Sequence, residues 1–334
     1  MTRGGRGLVG IRFDDPALES AVRAGLEQVE EQLRSAVHSD DSFVAETARH
    51  LVRAGGKRFR PLVVLLAAAF GDIAAPGVVP AAVVMELTHL ATLYHDDVMD
   101  EAVVRRGAVS ANARWTNTVA ILTGDFLFAR ASDILADLGP EAVRIQARTF
   151  ERLVMGQIHE TVGAPAGADQ VSHYLDVVAE KTGSLIATSG RFGALFGAAA
   201  PSVVDVLTSY GEVIGVAFQL SDDLLDIAAE AVESGKTPGT DLREGVPTLP
   251  VLYALASDDP AEARLRELIA KPLDDDLLHA EALRLLRGSP AMGRARETLA
   301  GYATTARDLL APLPDVPARE ALESLADFVV ARTG

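Results

Sequence analysis

The 334-residue sequence contains no cysteine, which excludes disulfide bridges and thiolate metal ligands, so any bound metal must sit on oxygen or imidazole. Aromatic residues are scarce at 5%, with a single tryptophan, whereas hydrophobic residues reach 49% and are dominated by Ala, Leu and Val. Many small apolar side chains suit closely packed helices. Basic residues are in deficit, 31 Lys+Arg against 47 Asp+Glu, and the formal net charge is -16. A nucleic acid or an anionic membrane surface is repelled by such a chain, so no nucleic-acid partner is expected, and a small anion needs a local basic cluster. Long hydrophobic runs are missing as well. Leu62 to Phe70 and Val78 to Met85 are too short to cross a bilayer and are separated by Gly71-Asp72 and Pro76, so no transmembrane segment is expected. The N-terminus reaches Asp14 and Asp15 without the apolar core of a secretory signal, and a cytoplasmic location is expected.

Strict alternation over a strand's length is hard to find, while apolar residues at three-and-four spacing recur throughout, as in Leu18, Val22, Leu26, Val29 and Leu33. The pattern predicts an all-α chain with helices over roughly 15–38, 43–54, 61–71, 80–101, 115–138, 140–162, 169–199, 203–232, 247–257, 260–271, 276–287, 290–312 and 317–332. Pro61, Pro80, Pro140, Pro201, Pro247, Pro260 and Pro317 fall at expected helix starts, where the missing N–H costs nothing. There is no low-complexity linker, composition shift or fixed repeat, so one helical domain over 1–334 is expected, with its motif-bearing part at about 55–250.

Two segments share the pattern DDxxD: Asp96-Asp97-Val98-Met99-Asp100 and Asp222-Asp223-Leu224-Leu225-Asp226. On a helix the outer aspartates stand one turn apart on one face, with Cβ atoms roughly 6 Å from each other. Magnesium takes one or two such carboxylates and fills its shell with water and phosphate oxygens. Both segments lie in apolar surroundings, LTHLATLYHDDVMD and VAFQLSDDLLDI, where uncompensated carboxylates are costly. They therefore call for divalent cations shared with a polyanionic ligand.

The cations that complete such a site are also present. Gly55-Gly56-Lys57-Arg58-Phe59-Arg60-Pro61 puts three basic side chains between a glycine turn and a helix start, where phosphate can be met by side chains and backbone N–H groups together. Arg105-Arg106-Gly107 follows the first acidic segment closely, and His89 lies seven residues before Asp96 on nearly the same stripe, with His95 a weaker candidate. Lys181, Thr182, Gln219 and Lys236 are weak signals singly. No Ser-His-Asp arrangement, phosphate-binding G-x-x-x-x-G-K-[ST] loop or dinucleotide fingerprint is found, so the chemistry points to diphosphate plus metal.

In order along the chain, GGKRFRP, LYHDDVMD, RRG, GDFLFARA, EKTGSLIA, FQLSDDLLDI and GKTPGTDLREGVPTLP resemble the trans-isoprenyl diphosphate synthases, or polyprenyl synthetases, from about Gly55 to Pro250. The resemblance implies a bundle of long helices around a central apolar tunnel, usually dimeric, with the two acidic motifs facing each other at its mouth. It implies a prenyltransferase that condenses an allylic diphosphate with isopentenyl diphosphate, with magnesium as cofactor and manganese able to substitute. Asp96, Asp100 and Asp222 would ligate the metal, supported by Asp97, Asp223 and Asp226, of which Asp226 is also a candidate ligand. Lys57, Arg60, His89 and Arg106 would hold isopentenyl diphosphate. Arg105, Lys181, Thr182, Gln219 and Lys236 would hold the allylic diphosphate. Val246 departs from the pattern, since many relatives carry lysine there.

Short-chain members place a bulky aromatic four or five residues before the first aspartate, where this chain has Ala91 and Thr92. With Thr88 and Met85 continuing the open wall, a linear all-trans product of about thirty carbons or more is expected, the twenty-carbon geranylgeranyl product being the alternative. Tyr94, the nearest aromatic, is expected to point away from Asp96. A class I terpene cyclase is a further rival, disfavoured by the GGKRFRP segment and the second complete DDxxD. The intact motifs likewise disfavour a silent partner subunit, and a calcium-binding scaffold leaves the basic segments without a role.

Overall fold

The computed structural model describes residues 10–228 and 238–333. Among the described residues, sixteen α-helices run in chain order as α1 Pro16–Ala36, α2 Ser42–Arg53, α3 Phe59–Ala68, α4 Val78–Met99, α5 Ala111–Arg114, α6 Asn117–Leu138, α7 Pro140–Val162, α8 Gln170–Val178, α9 Ser184–Phe196, α10 Pro201–Ala228, α11 Thr240–Glu244, α12 Leu249–Leu255, α13 Ala263–Ile269, α14 Asp276–Arg287, α15 Pro290–Leu309 and α16 Pro317–Ala331. The all-α expectation holds. The alternation test missed one hairpin, because its strands β1 (Val104–Arg105) and β2 (Ala108–Val109) are two residues each, too short to show a period.

Helix starts follow local chemistry. The side chains of Asp15, Asp41, Thr116, Asp169 and Asp275 each accept a backbone N–H of the first turn, capping α1, α2, α6, α8 and α14. One long predicted helix is interrupted: 169–199 is broken by a π-helical turn over Ala179–Gly183, whereas the helix expected over 115–138 runs unbroken from Asn117, after the cap Thr116. The predicted 203–232 helix is seen to Ala228, its remaining residues lying outside those described.

The chain divides into two compact units. In the first, Met1–Glu151, Leu185–Gly211 and Leu310–Ser324, α4 packs along α6 and against α3 and α1. Helix α3 and the first half of α4, through Thr88, are almost wholly buried, which is why those stretches are largely apolar all round, and polar side chains gather in α4 towards its C-terminal end. In the second, Arg152–Ser184, Glu212–Leu309 and Leu325–Gly334, α12 packs against α15, α13 and α8. By length and composition α10 is apolar enough to cross a bilayer, a test that a largely buried core helix also passes, and 56% of its most apolar window is buried.

Candidate active site

In the first unit the site is built on the C-terminal end of α4. Asp97 is fully buried, while Asp96 is half-buried and Asp100 exposed. Glu101 takes the left-handed conformation, φ 49°, and turns the chain into the β1–β2 hairpin. The hairpin returns Arg105 to the aspartates: its Nε donates to Asp97 Oδ1 at 2.6 Å and a terminal nitrogen reaches Asp100 Oδ2 at 3.4 Å. The other oxygen of Asp97 is buried with no hydrogen-bond partner among the described residues.

The basic loop is less uniform than its sequence. Arg58, one of three cations expected to meet phosphate, is withdrawn from that role. It is 9% exposed, pairs with Glu30, and donates to Glu86 Oε1 at 2.8 Å and to the Val52 carbonyl at 3.2 Å. Its φ of 50°, after Gly55 and Gly56 at 78° and 150°, turns it inward while Lys57 stays exposed and Arg60 half-buried. Arg106 donates to the Gly55 carbonyl and lies 3.3 Å from His89 Nε2. A side chain at Gly56 would meet the Arg106 guanidinium at 2.9 Å, so a glycine is needed for this approach. Burial first, then Arg60 and Arg106, holds His89 well below the usual imidazole range. A neutral ring leaves Nε2 as the acceptor that Arg106 requires. Glu86, one turn before His89 and 1% exposed, was missed by sequence reading. Its only signal was an acid in the otherwise apolar start of α4.

In the second unit the last turns of α10 carry Asp222, Asp223 and Asp226. Asp223 is buried and accepts the Tyr174 hydroxyl proton on Oδ2 and Gln219 Nε2 at 2.8 Å on Oδ1. Burial pushes its carboxyl up to about 6, against the opposing effect of those two hydrogen bonds. Burial, then the charge of Asp223, pushes Tyr174 well above the usual phenol range. Gln219 in turn accepts from Thr182 at 3.2 Å, and Asp226 Oδ2 accepts the Asp241 N–H at 3.2 Å. Lys181 stands on the π-turn, paired with Glu160. Gly156 of α7 lets that turn approach, since a Cβ there would lie 2.7 Å from Glu180 and 3.0 Å from the Lys181 nitrogen. Such a turn is a frequent device at functional sites. Tyr174 and Glu160 carried no sequence signal, their contacts being set by packing. Lys236 lies outside the described residues.

Of the candidate chain-length residues, Met85, Thr88 and Ala91 are fully buried and Thr92 is half-buried, its hydroxyl donating to the His89 carbonyl at 2.8 Å. Thr88 accepts from Gln146 of α7 at 2.8 Å. Tyr94 points away from the site as expected, its buried hydroxyl donating to the Thr47 carbonyl and accepting the Leu51 N–H.

Both acidic segments offer oxygen donors only. Among the described residues, no three His, Asp or Glu side chains converge closely enough to hold an ion by themselves. An open, all-oxygen donor set of this kind, with Asp96 and Asp100 one turn apart at the end of α4, fits a hard ion that takes one or two protein carboxylates and completes its shell from water and phosphate.

A family model described as polyprenyl synthetase matches residues 41–286. Nonaprenyl diphosphate synthase of Mycobacterium tuberculosis is 53% identical over 330 residues, 98% of each chain. The crystal structure of geranylgeranyl pyrophosphate synthase from Corynebacterium glutamicum, complexed with calcium and isoprenyl diphosphate, is similar at 47% identity and TM-score 0.86, covering 97% of this chain and 100% of that one. That of decaprenyl diphosphate synthase from Rhodobacter capsulatus is similar at 36% identity and TM-score 0.85, covering 95% and 99%.

Proposed function

This chain belongs to the polyprenyl synthetase family, and from that premise we propose that it condenses an allylic prenyl diphosphate with isopentenyl diphosphate to a linear all-trans polyprenyl diphosphate of about thirty carbons or more. The observation that carries the reading is the cationic cradle of Arg60, Arg106 and neutral His89 beside the aspartates of α4. A cyclase, which ionises a single diphosphate, has no use for a second phosphate site. A single polyprenyl synthetase domain over the chain, with an apolar tunnel for the product, belongs to the same proposal.

Lys57, Arg60, His89 and Arg106 are the proposed holders of isopentenyl diphosphate, fixing its double bond against the allylic carbon. Lys181, Thr182 and Gln219 are proposed for the allylic diphosphate, as is Lys236. Arg105, held by Asp97 and Asp100, is placed to exchange a carboxylate for a phosphate oxygen of the same substrate. Asp96, Asp100, Asp222 and Asp226 are the proposed ligands of magnesium, which when bound neutralises the departing diphosphate. Asp97 and Asp223, both buried, hold the surrounding side chains in place. The allylic carbon–oxygen bond ionises, the isopentenyl double bond attacks the cation, and the proton then lost passes to the released diphosphate. The apolar side chains of α4 keep water from the cation.

A twenty-carbon product is the second reading, favoured by the similarity to a geranylgeranyl synthase at 47% identity. The cysteine-free composition supports a cytoplasmic location, and exposed Ile121 and Leu122 on α6 support a homodimer. Incubation with farnesyl diphosphate and labelled isopentenyl diphosphate, followed by chain-length analysis, tests the assignment. Metal-dependent elongation to thirty carbons or beyond is expected. Turnover of a prenyl diphosphate without isopentenyl diphosphate would instead identify a cyclase, and a product ending at twenty carbons would select the second reading.

A further inference from the structure

A side chain just beyond the end of α16 reaches the second acidic segment. The Arg332 guanidinium donates from Nη1 to Asp222 Oδ1, from Nε to Ser221 Oγ and from Nη2 to the Phe218 carbonyl, each at 2.7 Å. It lies 4.3 Å from the centre of the Phe218 ring, and its side chain is 9% exposed against 39% for that of Asp222. Ser221 is itself buried and donates to the Val329 carbonyl of α16 at 2.8 Å. The guanidinium therefore has one direction available to it, set by two neighbours and a ring that are not acidic.

We propose that Arg332 is a positioning residue that fixes the carboxylate of Asp222 for metal and diphosphate binding. The inference rests on the polyprenyl synthetase reading of Asp222 given above. Geometry and charge make opposite demands on this pair. As a charge, Arg332 offsets one of three neighbouring carboxylates, so its loss should tighten cation binding. As a fork held by Ser221 and the Phe218 carbonyl, it orients the carboxylate, so its loss should weaken binding. The second effect dominates, because a carboxylate held by a buried, planar, multiply bonded partner loses little freedom when it binds a cation. For the same reason lysine cannot substitute: a single flexible ammonium keeps the charge and loses the fork.

The test is binding of Mn2+ together with inorganic pyrophosphate, followed by paramagnetic resonance, on wild type, Arg332→Gln, Arg332→Lys and Ser221→Ala, each first checked for native circular dichroism. Weakening of about 10- to 100-fold is expected in both Arg332 variants, the range typical of lost outer partners of metal ligands. Ser221→Ala, which removes one of the neighbours that aim the guanidinium, should weaken binding in the same direction and carries the test if Arg332→Gln does not fold. In steady-state assays the half-saturating Mg2+ concentration should rise, while the KM for isopentenyl diphosphate stays unchanged. Tighter or unchanged Mn2+ binding in Arg332→Gln would overturn the proposal, and so would wild-type binding in Arg332→Lys, which would reduce the arginine to a charge. If wild type binds no Mn2+ with pyrophosphate, the functional reading itself falls and the positioning role with it; normal wild-type binding with unaffected variants removes the positioning role alone.

Discussion

Arg58 and Lys57 are adjacent and identical in charge, yet opposite in what their loss should do. Arg58, at 2.8 Å, is the nearer of the two arginines beside the 1%-exposed Glu86, Arg106 standing at 4.0 Å. Arg58→Ala should cost about 3–5 kcal/mol, because one partner of a buried pair is left behind, and a denaturant melt measures it. Lys57 is exposed, so Lys57→Ala should change stability by less than about 0.5 kcal/mol. It should instead raise the KM for isopentenyl diphosphate by about ten-fold or more, the value of a lost charged contact. Equal stability losses in the two variants would contradict the division of roles. His89 adds a pH dependence. Its folded form stays neutral under burial and the nearby arginines, whereas the unfolded chain takes up a proton below about pH 6.5. The unfolded state then binds more protons, so stability should fall as pH drops through that range. In His89→Gln this part of the slope should vanish, as melts at about pH 7 and about pH 5 would show. The sequence placed His89 on the stripe of the aspartates from spacing alone. It could not separate Arg58 from Lys57, because the separation comes from a left-handed backbone and from Glu30, far away in the chain.

At the scale of elements, α4 joins the acidic segment to the wall beneath it. Thr92 is half-buried one turn before Asp96, and Thr88, one turn lower, is tied to Gln146 of α7. Ala91 is fully buried, and its carbonyl oxygen lies 3.0 Å from where a Cβ on Gly124 of α6 would stand. Placing a ring on the half-buried position should block growth: Thr92→Phe is expected to yield mainly fifteen- to twenty-carbon diphosphates, read by chain-length analysis. Ala91→Phe should shorten the product too, but its site is closed and overpacking by about 1–3 kcal/mol is expected. A Thr92→Phe enzyme with an unchanged product would remove α4 from length control. The extent of α4, α7 and α14 was legible from apolar spacing and proline. The π-turn under Lys181 and the two-residue strands were not, since neither leaves a period, and both depend on what packs against them.

At the scale of the whole molecule, α6 leaves Ile121 41% and Leu122 61% exposed, a liability in water unless a second copy covers them. Leu122→Asp should therefore shift sedimentation from dimer towards monomer, and a wild type that sediments as a monomer would refute the dimer. The two compact units were not foreseen, since no linker or composition shift separates them: each is assembled from three stretches of the chain, and the matched polyprenyl synthetase region runs through both.

The sequence by itself determined the helical class, the family and the identity of the acidic segments, because periodicity, caps and ordered motifs are local properties of the chain. Tertiary structure alone decided which charges are available. It withdrew Arg58 into a pair with Glu86, gave Asp97 to Arg105 and Asp223 to Tyr174, and brought Arg332 to Asp222 across 110 residues of chain. The availability of a charge depends on desolvation and on partners distant in sequence, and neither is encoded in the spacing of neighbouring residues.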